Sequence, residues 1–429
     1  MTVTHAWSAD EAGARALDGA DTLAAMRAQF ALPQDAAGAE LTYLCGHSLG
    51  LAPRGARAQV LAELEDWERL GVLGHEHGRR PWVGCAERLQ PPLAQLAGAQ
   101  PTEVVAMNSL SINLHLLLAA FYRPTSTRCA VLIEAGAFPS DRHIVTSQLR
   151  WHGIDPRTAL IELAPRAGEE CLRADDIAAA IETHAQRLAL VLWPGVQYRT
   201  GQAFDLAAIV RSAQRAGARV GFDLAHAVGN IPLNLHDAGA DFAAWCSYKY
   251  LNGGPGAIAG AFVHERHERD ATLTRLSGWW AHEAATRFRM GAQLVPARGA
   301  DGWQVSNPPI LSAAPLFASL EQFRAAGPAR LRAKSLQLTS YLEFCLQALC
   351  GTELDVLTPA EPAQRGCQLS LRVRGGSERA RRVHAALTAG GVITDWREPD
   401  TIRLAPVPLY NRFADALRAA RQLAHALRA

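Results

Sequence analysis

Apolar positions recur at helical spacing through the Ala-rich residues 10–30, until Pro33, and predict an opening helix. Next, L-T-Y-L-C-G-H-S-L-G-L-A-P (41–53) reads as a short strand entering a Gly-punctuated loop. Residues 56–70 place Leu61, Leu64 and Trp67 on one helical face, and residues 85–99 form a second helix. Between them, G-V-L-G-H-E-H-G-R-R-P-W reads as a polar surface loop. From there short apolar runs alternate with longer amphipathic ones. E-V-V-A-M-N, C-A-V-L-I-E-A, 158–163, L-A-L-V-L-W, V-G-F-D and F-A-A-W-C-S read as strands. S-L-S-I-N-L-H-L-L-L-A-A-F, 142–151, 174–185 and 204–215 read as helices. This alternation predicts an α/β fold with a mostly parallel sheet. G-A-I-A-G-A-F-V extends the sheet, with a further short strand expected at Leu294–Val295.

The character changes at Ile310. Helices are predicted at 310–325, 328–349, 377–389 and 411–428, with strands at 367–374 and 401–404, a smaller α+β unit. The expected organisation is an N-terminal segment, 1–55, packed with this small unit; a large domain, 56–309; and a C-terminal domain, 310–429.

Composition narrows the function classes. The 429 residues allow two domains, and 49% hydrophobic with 20% charged residues is ordinary for a globular protein. A formal net charge of +2 gives no bias toward nucleic acid or membrane surfaces. No apolar run reaches the roughly 18 residues of a membrane span. The start, M-T-V-T-H-A-W-S, lacks a basic segment before an apolar core, so no signal peptide is expected. Eight cysteines form no C-x-x-C pair, which points to a reducing cytoplasm and no metal site.

Of 43 lysines plus arginines, only Lys249 and Lys334 are lysines. Lys334 lies in an ordinary helical run, whereas Lys249 lies in a Gly-rich turn after an apolar run. An amine can lose its proton and condense with a carbonyl; a guanidinium cannot. Asp223 ends the preceding apolar run, with His226 three residues on. A lone Asp there is more often a cap, and a lone His more often a core residue. Ser109 and Ser111 open an apolar helix, where hydroxyls and free N–H groups suit a phosphate, although a plain N-cap serine is the commoner case. Phe138 and Asp141 follow a buried strand, at the edge where open α/β sheets bind ligands. An imine-forming amine, an anion for a ring nitrogen and a phosphate cradle are what a pyridine-based electron sink asks of a protein. Competing motifs are poor: G-G-P-G opens no dinucleotide unit, and neither H-E-R-H nor H-E-A-A-T is H-E-x-x-H.

The motifs G-H-S-L-G-L-A-P, G-H-E-H-G-R-R-P-W, M-N-S-L-S-I-N-L-H, F-P-S-D, P-G-V-Q-Y-R-T-G-Q, F-D-L-A-H-A-V-G-N, S-Y-K-Y-L-N-G-G-P-G, S-G-W-W-A-H-E, S-N-P-P-I-L and R-L-A-P-V-P-L-Y-N resemble those of the kynureninase family. The resemblance runs from about residue 40 to 415. It implies the aspartate-aminotransferase fold type (fold type I), with a seven-stranded-type sheet between helices. It implies pyridoxal 5'-phosphate as cofactor and hydrolysis of L-kynurenine, or its 3-hydroxy derivative, to the anthranilate and L-alanine. Lys249 matches the cofactor-binding lysine, Asp223 the ring-nitrogen partner with His226 beside it, and Phe138 the stacking aromatic. Asp141 is a further cofactor contact, Leu110 and Ser111 match the phosphate-binding helix start, and Tyr248 a phosphate ligand and acid–base group. Trp279 and Asn307 match positions that reach the cofactor in a homodimer whose active sites lie at the interface. Arg403 matches the residue that grips the substrate carboxylate, with Ser48 and His75 near its aryl ketone. Three positions depart from the family: His47 where Asn is frequent, Ser111 where Thr is common, and Trp280 where Phe is frequent. Two other readings are weighed: another class V enzyme, a cysteine desulfurase using Cys367 or an aminotransferase, and a non-enzymatic module that retains the fold.

Overall fold

The computed structural model describes residues 7–270 and 272–428. Seven strands build the large sheet: β1 (Val104–Ala106), β2 (Ala130–Glu134), β3 (Leu160–Leu163), β4 (Leu188–Pro194), β5 (Arg219–Asp223), β6 (Phe242–Trp245) and β7 (Gly260–Val263). Their spatial order is β1-β7-β6-β5-β4-β2-β3. β7 is antiparallel to both neighbours, and the other six point one way. Successive residues of a strand face opposite layers. Val191 and Trp193 therefore join a core with Leu89, Leu93, Ile177, Ile181 and Ile209. Leu190 and Leu192 join the opposite core with Leu114, Leu117, Ile144 and Leu149. Helices cover both faces, which is why the strands read as unbroken apolar runs. Gly260 lies opposite Trp245, and a Cβ there would sit 2.2 Å from the indole, so the bulky ring requires glycine across from it.

The smaller sheet contains β8 (Leu354–Val356), β9 (Leu369–Val373), β10 (Asp395–Arg397) and β11 (Thr401–Leu404), antiparallel in the order β10-β11-β9-β8. The helix Glu11–Ala20 packs on the C-terminal helix Phe413–Arg428, whose first N–H groups, at Phe413 and Ala414, donate to Asp18. Thr42–Tyr43 pairs with Val392–Ile393. The helix Ile310–Ala326 packs on Ala56–Leu70 and gives Leu316, Leu320 and Phe323 to the core of the large sheet.

Four sequence expectations need correction. The opening helix stops at Ala20, and a separate 3-10 turn covers Ala24–Gln29. Asp21 ends the helix by accepting the Leu23 N–H at 2.8 Å, a side-chain bond that competes with helix continuation. Lys334 has a structural job: it is buried and its Nζ lies 2.7 Å from Asp21, tying the N-terminal segment to the Pro328–Cys350 helix. Leu294–Val295 forms no strand; the Val295 carbonyl accepts Glu283 N–H, and Pro296, which has no N–H, follows. The loop after Leu70 contains short helical turns at Gly71–Leu73 and Gly74–His77. β8 and β10 carried no apolar signal, because L-D-V and D-W-R are short, charged edge strands.

At the end of the large sheet opposite the site, Asp241 clamps β5 to β6. It accepts from Val220 N at 2.7 Å, His267 Nε2 at 2.8 Å and Arg266 Nη2 at 2.8 Å. Burial alone would raise this carboxyl, but the His267 and Arg266 hydrogen bonds outweigh it and hold the pKa at about 2. The folded value is depressed below the ordinary 3.8, so the stabilisation is present above about pH 4 and is lost as pH falls through about 2. Asp241→Asn is expected to lower the unfolding free energy by about 2 kcal/mol at pH 7 and by little at pH 2, read by urea denaturation across that range.

Candidate active site

Parallel strands align their carboxyl ends, and those ends carry the polar residues that the buried runs exclude. Asp223 closes β5, Glu134 closes β2, and Lys249 follows β6 in a turn. One cleft along this edge is lined by Leu110, Ser111, Phe138, Asp141, Asp223, His226, Tyr248 and Lys249. Sequence reasoning nominated all eight from segments far apart in the chain. The G-H-S-L-G loop braces the lysine turn: Gly50 N donates to the Tyr248 carbonyl at 2.8 Å. A Cβ on Gly50 would lie 2.3 Å from the Lys249 carbonyl oxygen, so this close approach needs glycine.

Lys249 Nζ lies 5.8 Å from the centre of the Phe138 ring and 5.9 Å from that of Tyr248. Phe138 is 41% exposed and meets Tyr198 edge-to-face at 5.2 Å, which leaves an aromatic face open to the cleft. Three buried carboxyls surround this space. Burial pushes Asp223 up, against the pull of Lys249 and of the Ala225 N–H that donates to it at 2.7 Å. Burial, followed by the Asp223 charge, raises Asp141 further, so the proton of this pair resides on Asp141 and the negative charge on Asp223. Burial also lifts Glu134 to about 8. His226 is held neutral, chiefly by burial and then by Lys249. Burial raises the Tyr248 phenol, which keeps its proton at neutral pH.

The residues fit a phosphorylated pyridine. The twelve-residue helix Leu110–Phe121 starts at the cleft with its first N–H groups free of intrahelical acceptors. Ser111 Oγ lies 2.9 Å from Ser140 Oγ, so two hydroxyls stand at this anion-binding end. Asp141 Oδ1 and Glu134 Oε2 are buried oxygens without partners, set about an amine and an open aromatic face.

The remaining nominated residues do not line the cleft. Arg403 is fully buried on β11 and lies near enough to depress both His47 and His226. His75 is exposed against Trp82, with ring centres 5.3 Å apart. Ser48 lies in the bracing loop, Asn307 is exposed, and Trp279 is half-exposed with its indole N–H donating to the Arg287 carbonyl. Glu134 and Tyr198 also line the cleft and are not among the sequence expectations. Glu134 had the same signal as Asp223, an acid ending an apolar run; Tyr198 lies in the P-G-V-Q-Y-R-T-G-Q motif, which marked the segment without assigning the residue. Cys367 is 1% exposed, its N–H donates to Asn230, and burial raises its thiol to about 12, which is no setting for a mobile nucleophile.

Solved structures share the fold. The cystine C–S lyase C-DES in complex with its product cysteine persulfide matches with TM-score 0.74 at 19% identity, covering 90% of this chain and 97% of that one. The cysteine desulfurase CsdA from Escherichia coli matches with TM-score 0.76 at 16% identity, covering 95% and 98%. A C-DES variant with glycine covalently linked to its PLP cofactor also matches, with TM-score 0.76 at 19% identity and coverage of 93% and 98%. Fold and site together define a chain of fold type I whose cleft suits a phosphorylated pyridine. The family model of the kynureninase C-terminal domain matches residues 331–423. A kynureninase of Xanthomonas campestris pv. campestris (strain B100) is 60% identical over 402 residues, 94% of each chain. One from Stenotrophomonas maltophilia (strain K279a) is 57% identical over 400 residues, 93% of this chain and 94% of that one. The chain belongs to the kynureninase family.

Proposed function

We propose that the chain hydrolyses L-kynurenine, and its 3-hydroxy derivative, to the corresponding anthranilate and L-alanine. Bound pyridoxal phosphate supplies an electron sink for the carbanion formed when the substrate loses its α-proton. Lys249 anchors the cofactor and then, as a free amine, takes that proton. Asp223 holds the negative charge opposite the ring nitrogen while Asp141, protonated, donates to it. Phe138 supports the ring, and the Leu110 and Ser111 end of the helix, with Tyr248, holds the phosphate. Arg403 grips the α-carboxylate. Ser48 and His75 serve the aryl ketone. Tyr248, which retains its proton at neutral pH, donates it to the γ-carbonyl oxygen as water adds and recovers one from the added water; as the Cβ–Cγ bond breaks, Cβ keeps the electron pair and takes the proton that the hydrated carbonyl releases.

The observation that carries this reading is the meeting of Lys249, Asp223 and the phosphate-suited helix start in one cleft, within a chain 60% identical to a kynureninase. The desulfurase alternative loses support with the burial of Cys367. The active form is a homodimer. Leu276, Trp279, Phe288, Met290, Leu294 and Val295 are large apolar residues exposed in one segment, and Ile112 is exposed at the phosphate helix. In that dimer Trp279 and Asn307 reach the partner's cofactor, which accounts for their absence from the cleft of a single chain. The enzyme is cytoplasmic, in keeping with eight cysteines that are all unpaired. Among the described residues no helix is long and apolar enough to cross a membrane. The test mixes purified protein, pyridoxal phosphate and L-kynurenine and follows anthranilate fluorescence, with light scattering to size the active species. Anthranilate release by a dimer is expected; no release, or equal turnover of L-cysteine, would overturn the reading.

A further inference from the structure

Arg403 and Asp395 are cross-strand neighbours on β11 and β10. Arg403 Nε donates to Asp395 Oδ1 at 3.0 Å, and Nη1 donates to the Tyr198 carbonyl at 2.6 Å. Nη2 lies 2.7 Å from the same Asp395 oxygen. Asp395 Oδ1 thus meets both Nε and Nη2, with the hydrogen-bond geometry good only at Nε. Asp395 is shared, since Arg397 Nε lies 3.0 Å from Oδ1 and Arg397 Nη2 lies 3.1 Å from Oδ2. Two guanidiniums therefore face one carboxylate, leaving one positive charge unmatched. The neighbours do not match it. His47 is wholly buried with neither ring nitrogen partnered, and burial and the two arginines keep it neutral. Cys45 is kept as a thiol, chiefly by burial and then by Asp395.

We propose that Asp395 is a positioning residue for the substrate: it fixes the guanidinium plane of Arg403 before the α-carboxylate arrives, while sharing itself with Arg397 leaves one positive charge there for that carboxylate. The proposal rests on the role given above to Arg403. An arginine stem has many rotamers, and immobilising it before the substrate arrives removes an ordering cost from binding. The Tyr198 carbonyl alone fixes one nitrogen and leaves the plane free to turn about that bond. Asp395 supplies the second point, through Nε, that stops the rotation.

The test is steady-state kinetics of the cofactor-loaded enzyme on L-kynurenine. Asp395→Ala is expected to raise KM by about 10- to 100-fold with little change in kcat. Asp395→Asn keeps an acceptor for Nε without the charge, and is expected to give an intermediate KM in a protein of unchanged thermal midpoint. In an Arg403→Ala background, adding Asp395→Ala is expected to change KM no further, because Asp395 acts through Arg403. An unchanged KM in both Asp395 variants, or a further loss in the double variant, would overturn the positioning role while leaving that of Arg403 intact. An unchanged KM in Arg403→Ala itself would remove the carboxylate role of Arg403, and this proposal with it.

Discussion

Replacing Lys249 with alanine is expected to lower kcat by at least about 10³-fold while the protein stays folded. The removed amine has two tasks, anchoring the cofactor and moving the α-proton. Positioned proton transfer is by itself worth about 10²–10⁴-fold. The turn survives the change because backbone contacts hold it: Gly50 N donates to the Tyr248 carbonyl, and Asn252 N donates to the Lys249 carbonyl. The loss also removes the cation that pulls Asp223 down, so Asp223 takes up a proton more readily and the site loses its anion as well. Lys249→Arg separates these effects. It restores a positive charge beside Asp223 but no amine that can give up a proton. Both variants should be inactive on L-kynurenine, with unchanged far-UV circular dichroism. Recovery of turnover in Lys249→Arg would mean that the lysine serves only as a charge.

Arg403→Ala is expected to act on binding. A fully desolvated charge pair is worth about 2–5 kcal/mol, which corresponds to a rise in KM of about 30-fold to several-thousand-fold. The expected kcat at saturation changes far less, because the α-carboxylate is bound before and throughout bond breaking. The fold tolerates the change because Asp395 keeps Arg397 as its partner. Initial rates over a wide range of L-kynurenine separate the two constants. A fall in kcat at unchanged KM would show that Arg403 does not bind the substrate.

Particular residues show how far the sequence could be read. The rarity of lysine singled out Lys249, because Arg replaces Lys nearly everywhere that charge alone is needed. Apolar runs ending in an acid marked Asp223, and would equally have marked Glu134. Lys334 shows the limit of the same reasoning: it has a purpose, but its partner Asp21 lies far away in sequence and gave no sign of the pairing. β10 was unreadable because three half-buried residues, D-W-R, carry no period, and with it went Asp395.

Hydrophobic patterning, through the alternation of buried runs and amphipathic helices, determined the class of fold and the edge of the sheet where the chemistry sits. Residue type determined the cofactor chemistry, since few side chains can serve as imine-forming amine, ring-nitrogen anion or phosphate donor. Tertiary structure alone decided which acid carries the charge. Asp223 and Asp141 are both buried aspartates, and the Lys249 charge together with the Ala225 N–H that donates to Asp223 alone keeps the charge on Asp223 and leaves the proton on Asp141. It alone decided that Arg403 meets the Tyr198 carbonyl, 205 residues away, because contacts between distant segments leave no local pattern in the chain; Asp395 faces Arg403 through the register of the neighbouring strands β10 and β11.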